Sequence, residues 1–258
     1  MVPFLVAALL TWPLDQPILV SLFWLWFALL LGSVVTLLSG RRSLLLVVAL
    51  SPGIALFFRA FLPSSGRWMK RKLVLRFILG LGVGLVSLTI YLSSVFDFSF
   101  HTVVEMFAAG WDFATGDESS LVRREQFIAL LKEWSERPFF GAGHGASAAG
   151  SIRDADRPWA YELSYVALLF HTGILGFLAY AAGVIWIFWM GIKIIRLGSQ
   201  LSFYMVPVLV GTSCFLIANG SNPYLVKFDY MWIIFLPVAF INYWLVSSEK
   251  ESNAQWVV

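Results

Sequence analysis

Cysteine is almost missing from this chain: one residue, Cys214, in 258. No intramolecular disulfide and no Cys-x-x-Cys pair can form, so helix or strand packing alone must hold the fold. Cys214 lies inside an apolar run and fixes no redox compartment. Three histidines without ligand-like spacing give no basis for a protein-built metal site. The first residues carry neither a basic stretch nor an Ala-x-Ala site, so a removable signal peptide is not expected. There is no Gly-x-Ser-x-Gly nucleophile elbow, no internal repeat, no low-complexity tract and no heptad seam. Charge is scarce as well: 13% of residues are Asp, Glu, Lys or Arg, about half the share in soluble domains.

What replaces charge is apolar surface. Hydrophobic residues make up 59% and aromatic residues 17% of the chain, and the mean hydropathy is +0.81. That excludes an ordinary soluble domain and indicates an integral membrane protein in contact with membrane lipid. The net charge of +3 would suit nucleic acid, but the basic residues flank apolar runs, where orientation in a bilayer accounts for them. No nucleic-acid partner is expected. Runs long enough to span occupy residues 18–38, 44–62, 73–95, 163–192, 201–218 and 230–246, whereas residues 2–12 are too few to cross about 30 Å of hydrocarbon. The expected fold is all-α: a polytopic bundle of about six transmembrane helices forming a single domain over 1–258. Arg67, Lys70, Arg71, Lys72 and Arg76 follow the second run, and Lys193 and Arg196 follow the fourth, which assigns both loops to the cytoplasm. A large, partly helical loop at 96–161 is then extracytoplasmic, together with 39–43 and 219–229. The tail 247–258 is expected to be cytoplasmic and disordered.

The chemistry concentrates between residues 123 and 176. At about 100° per residue, Phe127, Leu130, Leu131 and Trp134 share an arc with Arg123, and Arg124 stands at its edge. Glu125, Lys132, Glu133 and Glu136 take the opposite face, so two cations are directed toward the side expected to be buried. Pro138 stops this helix, and Gly141-Ala142-Gly143-His144-Gly145 follows. That turn has two readings: backbone N–H groups offered to a phosphate, or simply a tight turn, since it lacks the strand and Lys-Ser/Thr of a P-loop. Arg41 and Arg42 stand in an expected outer turn, against the positive-inside tendency. With Arg123 and Arg124 they suit an anion at the outer surface, or else lipid head groups and helix carbonyls. Glu162 opens the next apolar run, and Gly173, eleven residues on, falls about 20° from its face. The carboxylate reads either as a general base or as an N-terminal cap, and Gly173 and Gly176 as sites of close helix approach. His171 lies on the far side of the helix and reads as a packed, neutral histidine. Asn222-Pro223-Tyr224 reads as an outer turn.

In chain order, three segments resemble the O-antigen ligase and O-antigen polymerase family of bacterial envelope membrane proteins. They are Leu38-Ser39-Gly40-Arg41-Arg42-Ser43, the helix led by Arg123 that ends in Pro138-x-x-Gly141-x-Gly143, and Glu162 with Gly173-x-x-Gly176 behind it. The turn is similar to the family's Thr-Gly-Ser-Arg-Gly, which matches its arginine to Arg42 and leaves Arg41 where serine stands. Glu162 occupies the position where ligases carry histidine, and Leu163 follows it instead of Asn, Ser or Gln, which favours a polymerase over a ligase. The family has about twice as many spans, so residues 2–12 read as the tail of a further helix in a shortened member. The resemblance implies a metal-independent glycosyltransferase of surface polysaccharide assembly in the bacterial inner membrane, with no cofactor. It would move glycan from an undecaprenyl-diphosphate-linked donor to a glycan or lipid-linked acceptor on the outer face. Glu162, Arg123 and Arg42 are the catalytic candidates. Arg41, Arg124, Gly141, Gly143 and His144 are candidates for binding the diphosphate or glycan. Two other classes stand beside this one: a non-catalytic membrane subunit of an envelope complex, and a transporter of lipid-linked oligosaccharide, which would need ionisable groups near the midplane that the spans scarcely contain.

Overall fold

The computed structural model describes residues 1–11, 21–39, 42–63, 118–149 and 156–254. Among them every regular element is helical: α1 (Val2–Thr11), α2 (Leu22–Leu38), α3 (Arg42–Arg59), α4 (Glu118–Glu136), α5 (Ser164–Arg196), α6 (Gln200–Asn219), a 3-10 turn (Phe228–Tyr230) and α7 (Trp232–Ala254). The expected span at 73–95, the basic cluster at 67–76, Arg41 and most of the expected outer loop lie outside the described residues.

Helix α6 is the axis of the bundle, and α1, α3, α5 and α7 pack around it. Its apolar stretch is 67% buried, against 17% for those of α5 and α7. The three are equally plain in sequence as apolar runs, so the contrast is one of neighbours: α6 faces protein, while α5 and α7 turn most of their apolar surface outward. Among the described residues, these three helices are long and apolar enough to cross a membrane. Helices α2 and α3, of 17 and 18 residues, reach about 26 Å, the short end of the spanning range.

Helix α1 is ten residues long, and its role is packing. Val2, Val6 and Leu10, one turn apart, are buried against the central cluster. The Phe4 ring occupies the space left by Gly211 of α6, where a Cβ would collide with it, and stacks on Trp232 at 5.8 Å. The last carbonyls of α1 are not abandoned in the apolar interior: Arg59 Nη1 donates to Leu10 O at 3.3 Å and Thr11 O at 3.2 Å. Orphan carbonyls at a helix end need such partners.

The helix ends gather in two groups. At one end the Arg196 guanidinium lies 5.3 Å from the Phe61 ring, and Gly198 abuts Pro63. At the other, Asn222 Nδ2 donates to Ser43 Oγ at 2.8 Å, and Ser164 Oγ donates to the Asn222 carbonyl at 3.3 Å. One asparagine thus ties together the starts of α3 and α5 and the loop after α6. The tail departs from expectation: α7 continues as helix through Ala254, so much of 247–258 extends the last helix.

Candidate active site

Helix α4 forms because Leu, Ala, Glu, Lys and Arg dominate it and neither Gly nor Pro interrupts it before Pro138. Pro138 has no N–H to donate, and the chain turns there. The turn is pinned by side chain and backbone together: Trp134 Nε1 donates to Pro138 O at 3.1 Å, and Gly141 N–H to Arg137 O at 2.9 Å.

Beyond that turn, α5 is broken. Gly173 has φ 63° and ψ −173°, and the interrupted hydrogen bonds are completed by residues 138–143. The carbonyls of Phe170 and His171 accept from the N–H groups of Ala142 at 2.8 Å and Gly143 at 2.9 Å. On the other side of the break, Ile174 and Leu175 donate to Pro138 O at 2.8 Å and Phe139 O at 3.2 Å. A segment of loop backbone is therefore spliced into the helix. Both glycines at the splice are required by space: a Cβ on Gly141 would lie 2.5 Å from Gly173 N, and one on Gly173 would run into the Phe139 carbonyl. This corrects the expectation that Gly173 and Gly176 admit a neighbouring helix. Gly173 admits the loop, and a Cβ on Gly176 would meet the Thr172 side chain of its own helix.

The splice carries its own small core of Leu130, Ala148, Tyr161, Ala167 and Phe170. Tyr161 is buried, and its hydroxyl oxygen accepts the Ala148 N–H at 2.6 Å. Burial pushes the Tyr161 hydroxyl above its ordinary pKa, against the opposing effect of that bond. With tyrosine neutral at any ordinary pH, its role is to fix the approach to α5.

Three residues after Tyr161 the helix starts: α5 begins at Ser164, with Leu163 at the cap position and no side-chain cap bond there. Glu162 therefore stands one residue before the cap position. Its carboxylate faces α4, where Arg123 Nε donates to Glu162 Oε2 at 2.8 Å. The two side chains are 35% and 17% exposed, so the pair is shielded yet open on one side. Residues 39 positions apart, singled out separately in the sequence, meet directly.

Gln126 was missed by the sequence reading. It lies one turn from Arg123 on the same face and is 1% exposed. Its Oε1 accepts the Glu162 backbone N–H at 3.1 Å, while its Nε2, fully enclosed, is the one buried side-chain polar atom without a hydrogen-bond partner among the described residues. The signal was present: a polar residue at the row Arg123, Gln126, Leu130, which is i, i+3, i+7.

The remaining candidates fall in three places. Arg42 is the first residue of α3, next to Ser43, whose link through Asn222 to Ser164 brings that helix start to the end of the bundle where Glu162 stands. Arg124 is exposed on α4. Gly141, Gly143 and His144 belong to the splice. The Gly141 and Gly143 N–H groups are used by protein carbonyls, so of the two readings these bonds realise the turn. His144 is exposed, and its ring centroid is 5.8 Å from that of His171. His171 Nε2 lies 3.1 Å from Ala146 O; a carbonyl only accepts, so this nitrogen carries a proton. Among the described residues no three His, Cys, Asp or Glu side chains cluster as metal ligands.

The architecture is consistent with a helical membrane bundle carrying a paired arginine and glutamate beside one helix start. No family model, curated protein or solved structure matches the chain.

Proposed function

We propose that the protein is a membrane glycosyltransferase of surface polysaccharide assembly, a polymerase rather than a ligase. In this reading it uses an undecaprenyl-diphosphate-linked glycan at the outer face of the bacterial inner membrane, within a bundle of about six spans. The observation that carries the reading is the 2.8 Å contact between Arg123 and Glu162, at the bundle end where the start of α3 with Arg42 is also tied. Glycosyl transfer to a hydroxyl needs two things: a base for the hydroxyl proton and positive charge for the departing diphosphate. The acceptor oxygen attacks the anomeric carbon, its proton passes to the Glu162 carboxylate, and the bond to the diphosphate breaks with the electron pair leaving on the phosphate oxygen. A guanidinium suits the leaving group because it stays charged and meets phosphate through a planar fork. In the resting pair the Arg123 guanidinium holds the Glu162 carboxylate. An arriving diphosphate competes for Arg123 and so frees the carboxylate at the moment it is needed.

The test is direct. Purified full-length protein in vesicles, supplied with a lipid-diphosphate glycan and an acceptor, should release lipid diphosphate and extend the glycan, and Glu162→Gln should do neither while still binding donor. Absence of product from well-folded wild type, or full turnover by Glu162→Gln, overturns the assignment and leaves the non-catalytic subunit as the reading.

A further inference from the structure

Helix α4 divides its surface three ways. At about 100° per residue, Arg123, Gln126, Leu130 and Trp134 make one sector, Arg124, Phe127, Ile128 and Leu131 a second, and Glu125, Lys132 and Glu136 a third, each roughly a third of a turn from the next. The first sector packs on α5 and the small core, with Leu130 and Gln126 fully buried. The third is exposed and charged. The second is apolar apart from Arg124, and much of it is exposed: Phe127 is 45% and Ile128 56% exposed. A helix on the surface of a soluble protein has two sectors, one for protein and one for water. A third, apolar and uncovered, requires a third medium.

The turn after α4 extends that sector. Phe139 and Phe140 are 63% and 78% exposed, although their backbone is held by the splice and cannot retract them. They stand at the Gly173 break, and immediately beyond it Ile174, Leu175 and Leu178 of α5 are also exposed, opening the outward surface of a helix long and apolar enough to cross a membrane. Arg124 and Arg137, both exposed, flank the aromatic patch as cations flank an interfacial helix. We infer that α4 lies along the membrane interface, with Phe127, Ile128, Phe139 and Phe140 seated at the boundary between head groups and acyl chains. The partner of this surface is the lipid of the leaflet, continuous with the lipid around α5. Through the splice, this seat sets the height of the Arg123–Glu162 pair above the bilayer. The inference does not depend on glycosyl transfer.

Nitroxide labels placed singly at Ile128, Phe140, Lys132 and Glu136, in full-length Cys214→Ser protein in phosphatidylethanolamine and phosphatidylglycerol vesicles, test it by collision with oxygen and with a water-soluble nickel complex. Ile128 and Phe140 should relax with oxygen and resist nickel, and Lys132 and Glu136 should do the reverse. Nickel access at Ile128 and Phe140 would overturn the seat, as would exclusion of both reagents, the result for a surface covered by protein or by a second copy. An unlabelled control avoids any fault of a variant: phospholipid with a photoreactive acyl chain should form adducts on wild type at 127–131 and 139–140 as well as along 174–189. Adducts confined to 174–189 would equally overturn it.

Discussion

At the scale of single residues, the pair Arg123 and Glu162 makes separable predictions. If Glu162 is the proposed base, Glu162→Gln keeps shape and hydrogen bonding but removes that base, and product formation should vanish. Glu162→His restores a base of higher ordinary pKa, so part of the activity should return, with an optimum displaced to higher pH. Arg123→Lys keeps the charge and loses the fork. A charge-assisted contact worth about 2 to 4 kcal/mol in the transition state then implies a fall of roughly 30-fold to 1000-fold in turnover. A full-rate Lys variant would reduce Arg123 to an ion-pair partner of no catalytic weight. Gln126 offers a finer test, because Gln126→Glu still accepts the Glu162 N–H but brings a second negative charge. Like charge disfavours ionisation of Glu162, so the rising limb of the pH–activity profile should move to higher pH. An unmoved limb with unchanged turnover would show that Gln126 shapes the backbone only.

At the scale of elements, the splice of residues 138–143 into α5 is the feature on which the site depends, and its glycines rank in a definite order. Gly173→Ala and Gly141→Ala each force a methyl into backbone that is hydrogen-bonded on both sides of the break, at positive φ of 63° and 70°. Each should cost about 2 to 4 kcal/mol. Gly143→Ala meets open space and suffers only its φ of 93°, a cost of about 1 to 2 kcal/mol. Unfolding of purified variants in detergent measures the order, and equal losses at Gly143 and Gly141 would deny the splice its tightness. The stop at Pro138 and the special status of Gly173 were legible in the sequence, whereas Gly176 meets only Thr172 of its own helix. What approaches Gly173 was not, since spacing places a glycine on a face without naming the neighbour. The same limit explains the misjudged arc of α4: Phe127 and Leu130 are alike to a helical wheel, but Leu130 meets protein and Phe127 remains exposed. Gln126 escaped because a search for apolar periodicity passes over a polar residue on the buried row.

At the scale of the whole molecule, the helix ends gather in two groups: Phe61 and Pro63 with Arg196 and Gly198, and Ser43 with Asn222 and Ser164. The place of α1 was not legible, since a run too short to cross gives no hint that Val2, Val6 and Leu10 enter the core. Because the two groups lie at opposite ends of one bundle, a single pair of reporters decides the orientation of both. Ala160 is exposed two residues before Glu162, and Leu197 is exposed just after α5. If the positive-inside tendency of Lys193 and Arg196 holds, Leu197 is cytoplasmic and Ala160 outside. In a Cys214→Ser background, Ala160→Cys should react with a membrane-impermeant maleimide in intact spheroplasts, and Leu197→Cys only after lysis. The reverse pattern would put the Arg123–Glu162 pair in the cytoplasm, on the side away from the proposed donor, and glycosyl transfer at the outer face would have to be abandoned whatever the variants of Glu162 did.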